Sequence, residues 1–242
     1  MRDDAVPNRD APPGIVLDGV SHAFDDTEVL RDVSLRLTER RIGIIGANGS
    51  GKSTLARTFN GLVVPDSGSV TVAGMDVRKE REKVRARVGF VFADASAQII
   101  MPTVAEDVGL SLRGRGRRSK RPSAETARRV ERVLAEYGIS DLADRPAQLL
   151  SSGQKQLLAF ASVLVTEPEI LVCDEPTTLL DLRNVLKVRT VLARLTQQVV
   201  LLTHHLELLD DFDRVVVMDG GRVTYDGDPA SAVAFYRDSA AR

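Results

Sequence analysis

Residues Gly46-Ala47-Asn48-Gly49-Ser50-Gly51-Lys52-Ser53-Thr54 restrict the fold more than any other stretch of this chain. They fit G-x-x-x-x-G-K-[ST], a loop that works only between a buried strand and the first turn of a helix. The glycines let the backbone curl until several N–H groups face one anion, and the helix N-terminus adds partial positive charge. Lys52 is placed to reach the β- and γ-phosphates of a nucleotide, and the Ser53 hydroxyl to ligate Mg2+. The candidate phosphate-binding set is therefore Gly46, Asn48, Gly49, Ser50, Gly51, Lys52, Ser53 and Thr54. The flanks agree: 42–45 is a short, wholly apolar strand, and a helix is expected over about 52–60.

Around this loop the chain alternates strands and helices. Residues 15–24 read as an edge strand, 29–37 as the next, and 69–73 as a short one after the Pro65-Asp66-Ser67-Gly68 turn. After the apolar strand 88–92 the pattern turns helical as far as about 160, with an amphipathic helix at 124–137 carrying Val130, Val133, Leu134 and Tyr137 at helical spacing. Strands return at 170–173, 199–203, 215–219 and 222–225, the last two joined by a Gly220-Gly221 hairpin turn, and a helix follows from about Pro229. Strands separated by helices predict a mainly parallel sheet covered on both faces.

With 242 residues the chain has room for one α/β core and an inserted lobe. A formal net charge of -1 gives no global field to attract nucleic acid or anionic lipid. Cys173 is the only cysteine, so a disulfide framework is excluded and a reducing setting is expected. Apolar runs are far shorter than the roughly 18–20 residues of a membrane span. Residues 1–13 lack the apolar core of a signal peptide and read as a disordered tail. The basic run at 113–121, R-G-R-G-R-R-S-K-R, reads as a solvated loop between two helices, with lipid headgroups or an acidic partner as the competing reading.

Two further motifs carry chemistry. In Ile170-Leu171-Val172-Cys173-Asp174-Glu175, four apolar residues deliver two carboxylates to the carboxyl end of a strand, where open α/β sheets bind ligands. Asp174 can hold Mg2+ through water, and Glu175 can polarise the water that attacks a γ-phosphate. The other motif is Leu150-Ser151-Ser152-Gly153-Gln154, followed by an apolar helix.

The order of phosphate loop, L-S-x-G-Q, apolar Asp-Glu strand and Thr203-His204 resembles the ABC ATPase, from about Ile15 to Pro229. The fold this implies is α/β, a P-loop NTPase core of ABC type with an edge antiparallel β portion and an inserted helical lobe. A core of 14–92 and 162–242 would flank a lobe of 93–161 that carries the signature. The resemblance also implies ATP and Mg2+ as cofactors and a head-to-tail pair of cassettes, taken as a homodimer. In such a pair Ser151 and Gly153, with Gln154 beside them, meet the γ-phosphate held by the partner copy. Asp181, in Thr178-Leu179-Leu180-Asp181, matches the loop crossing the seam, His204 the histidine at the γ-phosphate, and Phe24 the aromatic that stacks on adenine. The chain departs from the family in three places. Ala93 stands where a glutamine senses Mg2+ and the attacking water, and the sequence leaves open whether Gln98, five residues on, takes its place. Ser152 replaces a glycine, and His205 an aspartate.

Residues 92–107, with Gln98, Pro102-Thr103-Val104 and Glu106-Asp107, resemble the energy-coupling-factor class of vitamin and metal importers. Thr177 to Asn184 and Arg40-Arg41-Ile42-Gly43 are similar to the biotin-importer ATPase within it. The resemblance implies a transmembrane coupling protein and a substrate-binding membrane protein as partners, no nucleic acid, and a place at the cytoplasmic face of the membrane. Competing readings are a cobalt or nickel importer ATPase of the same class and a soluble ABC ATPase outside transport. A P-loop kinase or GTPase leaves 150–154 unexplained and lacks a base-reading N-K-x-D.

Overall fold

The structure, a computed structural model, describes residues 14–112 and 123–241. The tail expected at 1–13 and the basic run at 113–121 lie outside the described residues. In chain order, the first elements are β1 (Ile15–Phe24), β2 (Thr27–Leu37), β3 (Arg41–Gly46) and α1 (Lys52–Thr58). Next come β4 (Ser67–Val72), β5 (Met75–Asp76), α2 (Arg81–Arg87) and β6 (Val88–Val91). The helical stretch holds α3 (Ala95–Gln98), α4 (Val104–Ser111), α5 (Ala124–Glu136) and α6 (Ser152–Leu164). The chain then runs through β7 (Ile170–Asp174), α7 (Leu182–Arg194), β8 (Gln198–Leu202), β9 (Arg214–Asp219), β10 (Arg222–Gly227) and α8 (Pro229–Ala240).

Two sheets form. The antiparallel one has the order β2-β1-β4-β5, so β1 is not the edge strand expected of it: β2 and β4 flank it. Ile15 and Leu17 of β1 and Val33, Leu35 and Leu37 of β2 alternate inward, and both strands shift phase at a bulge. Gly19 and Asp32 take positive φ there, with the Ser34 and Ser21 hydroxyls accepting their N–H groups.

The larger sheet has the order β10-β9-β3-β8-β7-β6, parallel except for β10. Every residue of β7 and β8 is buried, which is why these strands read as unbroken apolar runs. Each large aliphatic side chain so buried contributes about 1.5–3 kcal/mol. One face packs on α1 and the antiparallel sheet, through Leu55, Phe59 and the inner residues of β1 and β2. The other face packs on α6, α7 and α8, through Phe160, Val188 and Ala232. A third cluster joins α4, α5 and the middle of α6 through Val108, Leu134 and Leu158. Helix α6 thus belongs to both the sheet and the helical layer.

Strand register decides what meets at the carboxyl edge. Ile44 of β3 and Asp174 of β7 both pair with Leu202 of β8. The ends of these three strands therefore lie side by side, and the residues that follow them, the phosphate loop, Glu175 and His204, emerge at one edge.

Candidate functional site

The phosphate loop leaves β3 at Gly46. A Cβ at Gly46 would collide with the Met218 carbonyl of β9, so no other residue fits this exit. The loop is also held from outside: the Gly221 N–H donates to the Ser50 carbonyl at 3.1 Å, and the Arg31 N–H to the Gly221 carbonyl at 2.9 Å. The hairpin turn predicted at Gly220-Gly221 therefore clamps the loop between β2 and β10. Its signal in the sequence was only that of a turn, because the clamp joins residues far apart in the chain.

Lys52 opens α1 and is 5% exposed. Its ammonium donates to the Gly46 carbonyl at 2.8 Å and the Ala47 carbonyl at 2.9 Å, and lies 4.0 Å from Glu175 Oε1. Burial lowers its pKa, and the charges of Glu175 and Asp174 oppose the shift. Ser53 donates its hydroxyl to Asp174 Oδ1 at 2.8 Å. Burial raises the Asp174 pKa, against the Ser53 hydrogen bond and the nearby Arg57 guanidinium. Burial thus opposes the charged forms of both Lys52 and Asp174, and the neighbouring charges only partly offset it.

These residues fit a nucleotide phosphate chain with a divalent cation. Among the described residues, the buried Ser50 hydroxyl has no hydrogen-bond partner. Gly49 and Gly51 take φ of 80° and 97°, so the loop curls as an anion cradle requires. No side chain caps α1 and no acidic residue stands in its first turn, which leaves its N–H groups for a ligand. The cleft there, about 170 Å³, is lined by 48–54 together with Val29 and Glu175. Val29 was not singled out from the sequence.

Glu175 follows β7 with φ of 51°, a left-handed conformation that costs a non-glycine residue about 1–2 kcal/mol. Its N–H donates to the Leu202 carbonyl at 3.0 Å, which fixes it to the neighbouring strand. The carboxylate Oε2 accepts the Thr178 hydroxyl at 2.9 Å and lies 2.9 Å from His204 Nδ1. His205 lies with its ring 4.5 Å from that of His204 and has partners of its own: its Nδ1 lies 3.1 Å from Glu207 Oε1, and its N–H donates to Thr203 Oγ1. A histidine at that position therefore leaves the Glu175–His204 contact intact.

The structure brings together Lys52, Ser53, Asp174, Glu175 and His204. It leaves Phe24, Ser151, Gly153, Gln154 and Asp181 apart from them. Among the described residues, none of these five lines the cleft or bonds to the phosphate loop. Phe24 is half exposed at the end of β1, its ring edge-on to His22 at 4.7 Å. Ser151 caps α6: its hydroxyl accepts the Gln154 N–H at 3.4 Å, and Gln154 Oε1 accepts the Ser151 N–H at 2.9 Å. Ser152 is the first residue of α6 with no positive φ, so its Cβ is tolerated. A Cβ at Gly153 would meet the end of the Asn184 side chain of α7, which would have to move aside. Asp181 caps α7 by accepting the Asn184 N–H at 2.9 Å.

The Gln98 side chain folds back on β6. Its Oε1 accepts the Phe92 N–H and its Nε2 donates to the Phe90 carbonyl, both at 3.2 Å. The amide thus closes the free edge of β6 like one residue of a further strand.

Comparison with known proteins agrees with this geometry. The ABC transporter family matches residues 30–178. The biotin transport ATP-binding protein BioM of Rhizobium etli is 45% identical over 223 residues, 92% of this chain and 96% of that protein. The energy-coupling factor transporter ATP-binding protein EcfA1 of Caldanaerobacter subterraneus is 40% identical over 208 residues, 83% of this chain and 74% of that one. Among solved structures, cbiO1 of Clostridium perfringens, described as part of the ABC transporter complex cbiONQ, superimposes with a TM-score of 0.78 at 32% identity, covering 91% of this chain and 90% of that one. With a phosphate loop, an Asp-Glu strand end, a histidine on the glutamate and these relatives, the chain belongs to the ABC transporter family, as an ATP-hydrolysing cassette of the energy-coupling-factor class.

Proposed function

We propose that this cassette powers the uptake of biotin, working as a homodimer on a transmembrane coupling protein and a small substrate-binding membrane protein. The observation that carries the chemistry is the convergence of Lys52, Ser53, Asp174, Glu175 and His204 at the ends of three adjacent strands. The substrate rests on the likeness to the biotin transport protein BioM over nearly the whole chain. No described helix is long and apolar enough to cross a membrane, which suits a peripheral subunit at the cytoplasmic face.

In this reading Lys52 and the backbone N–H groups of the loop bind the β- and γ-phosphates. Ser53 and Asp174 would hold Mg2+, which would offset phosphate charge there. Glu175 orients the attacking water and takes its proton as the water oxygen bonds to the γ-phosphorus and the bond to the β-phosphate oxygen breaks, giving ADP and phosphate. His204 steadies Glu175 and reaches the γ-phosphate. Ser151, Gly153 and Gln154 of the second copy complete the site, Asp181 lies at the seam, and Phe24 stacks on adenine. The core is 14–92 with 162–242, and the lobe 93–161 meets the membrane partners. ATP favours the closed pair because it binds that state more tightly, and hydrolysis removes the preference.

The test is uptake of labelled biotin by cells carrying the cassette with its own membrane partners, against the same cells with Lys52→Ala. Biotin uptake that Lys52→Ala abolishes supports the proposal. Uptake of cobalt or nickel instead would keep the ATPase role and overturn the substrate, and capture of ribosomal or DNA-repair partners without a membrane protein would overturn the transport role.

A further inference from the structure

The turn after β7 holds a group that the mechanism above does not use. Glu175, Pro176, Thr177 and Thr178 form a tight turn closed by the Thr178 N–H donating to the Glu175 carbonyl at 3.3 Å. Pro176 fixes one φ of that turn, and the Leu180 N–H, donating to the Thr177 carbonyl at 3.1 Å, extends it. The backbone therefore delivers the Thr178 hydroxyl to Glu175, and a threonine side chain has only one heavy-atom torsion left to set. The hydroxyl donates to Glu175 Oε2 at 2.9 Å, the same oxygen that meets His204 Nδ1 at 2.9 Å. Among the described residues the other oxygen, Oε1, accepts no hydrogen bond, and Lys52 Nζ lies 4.0 Å from it.

From this asymmetry we infer that Thr178 is a positioning residue for the Glu175 carboxylate: with His204 it engages Oε2 and so turns Oε1 toward the position of the attacking water. The inference rests on the reading of Glu175 as the general base. A carboxylate attached through a flexible side chain samples several orientations, and only those with an oxygen on the water's side support proton transfer. Two contacts on one oxygen remove most of that freedom. A hydrogen bond to a charged group is stronger than one between neutral groups, so its loss is expected to be measurable even on this partly exposed turn.

The experiment is phosphate release by the full chain at saturating ATP, with ATP affinity measured separately, for Thr178→Val, Thr178→Ser, Glu175→Gln and the double variant Glu175→Gln/Thr178→Val. Valine keeps the shape of threonine and removes the donor, while serine keeps the donor. The expected result is a kcat about 10-fold lower for Thr178→Val with KM for ATP changed less than about 2-fold, and Thr178→Ser within about 2-fold of the parent. In the Glu175→Gln background, Thr178→Val should add no further loss, because the group it positions is no longer a base. Wild-type kcat in Thr178→Val overturns the inference. An equal loss with and without Glu175 also overturns it, because Thr178 would then act on the fold of the turn. Turnover retained in Glu175→Gln alone removes the general-base reading and this inference with it, an outcome separable from a failure at Thr178.

Discussion

Both the phosphate loop and the L-S-S-G-Q turn lead into the N-terminus of a helix, yet the two ends are finished in opposite ways. Helix α1 begins with a glycine and a buried lysine, has no side-chain cap, and leaves the Ser50 hydroxyl without a partner among the described residues. Helix α6 begins with a complete capping box, in which Ser151 and Gln154 satisfy each other's backbone N–H groups. The first end is built for a ligand and is incomplete alone. The second is complete alone, and to reach a phosphate on another copy Ser151 must redirect a hydroxyl that now serves its own helix. A cap of this kind is worth about 1 kcal/mol. Under the proposed pairing, ATP would bind to one chain, and the signature would contribute only when a second cassette supplies enough contacts to offset the loss.

The comparison breaks most easily at Lys52. Lys52→Ala removes the only ammonium among the described residues lining the cleft and is expected to lower ATP affinity and phosphate release by at least about 100-fold, read by fluorescent-nucleotide binding and phosphate assay. Ser151→Ala sharpens it from the other side. Losing the cap should cost about 1 kcal/mol, a fall in Tm of about 2–4 °C by calorimetry. ATP affinity of the single chain should be unchanged, while turnover by the pair falls. A Ser151 variant with weakened ATP affinity in the monomer would mean that the two helix ends share one site. The smallest effect is expected at Gln98. Gln98→Leu removes two hydrogen bonds to the edge of β6, at about 0.5–1.5 kcal/mol each, and should lower stability with KM for ATP unchanged. A selective loss of Mg2+-dependent turnover in that variant would instead give Gln98 the role absent at Ala93.

The same contrast governs what could be read in advance. Lys52, Ser53, Asp174 and Glu175 were legible because their chemistry is local: a glycine-rich curl before a helix, and two carboxylates after four apolar residues. The strands of the parallel sheet were legible because burial on both faces leaves unbroken apolar runs. Helix α2 gave no signal because Val84 is its only buried residue, so it has no periodicity, and β5 is two residues long. The interior place of β1 was missed because its second partner, β4, lies about fifty residues away in sequence. The Gly221 clamp, the packing of Gly153 on Asn184 and the commitment of the Gln98 amide depend on such long-range pairing, or on a side chain folding back on its own strand. The hydroxyl of Thr178 is local, yet only the left-handed Glu175 turns it onto the carboxylate.

The central claim, that one chain carries two half-sites which only a second copy joins, is tested most directly by light scattering of the Glu175→Gln chain with ATP, with and without an added Ser151→Arg. The account predicts a dimer for Glu175→Gln with ATP and a monomer when Ser151→Arg is present, with ATP still bound. A dimer that forms equally well with Ser151→Arg would contradict it.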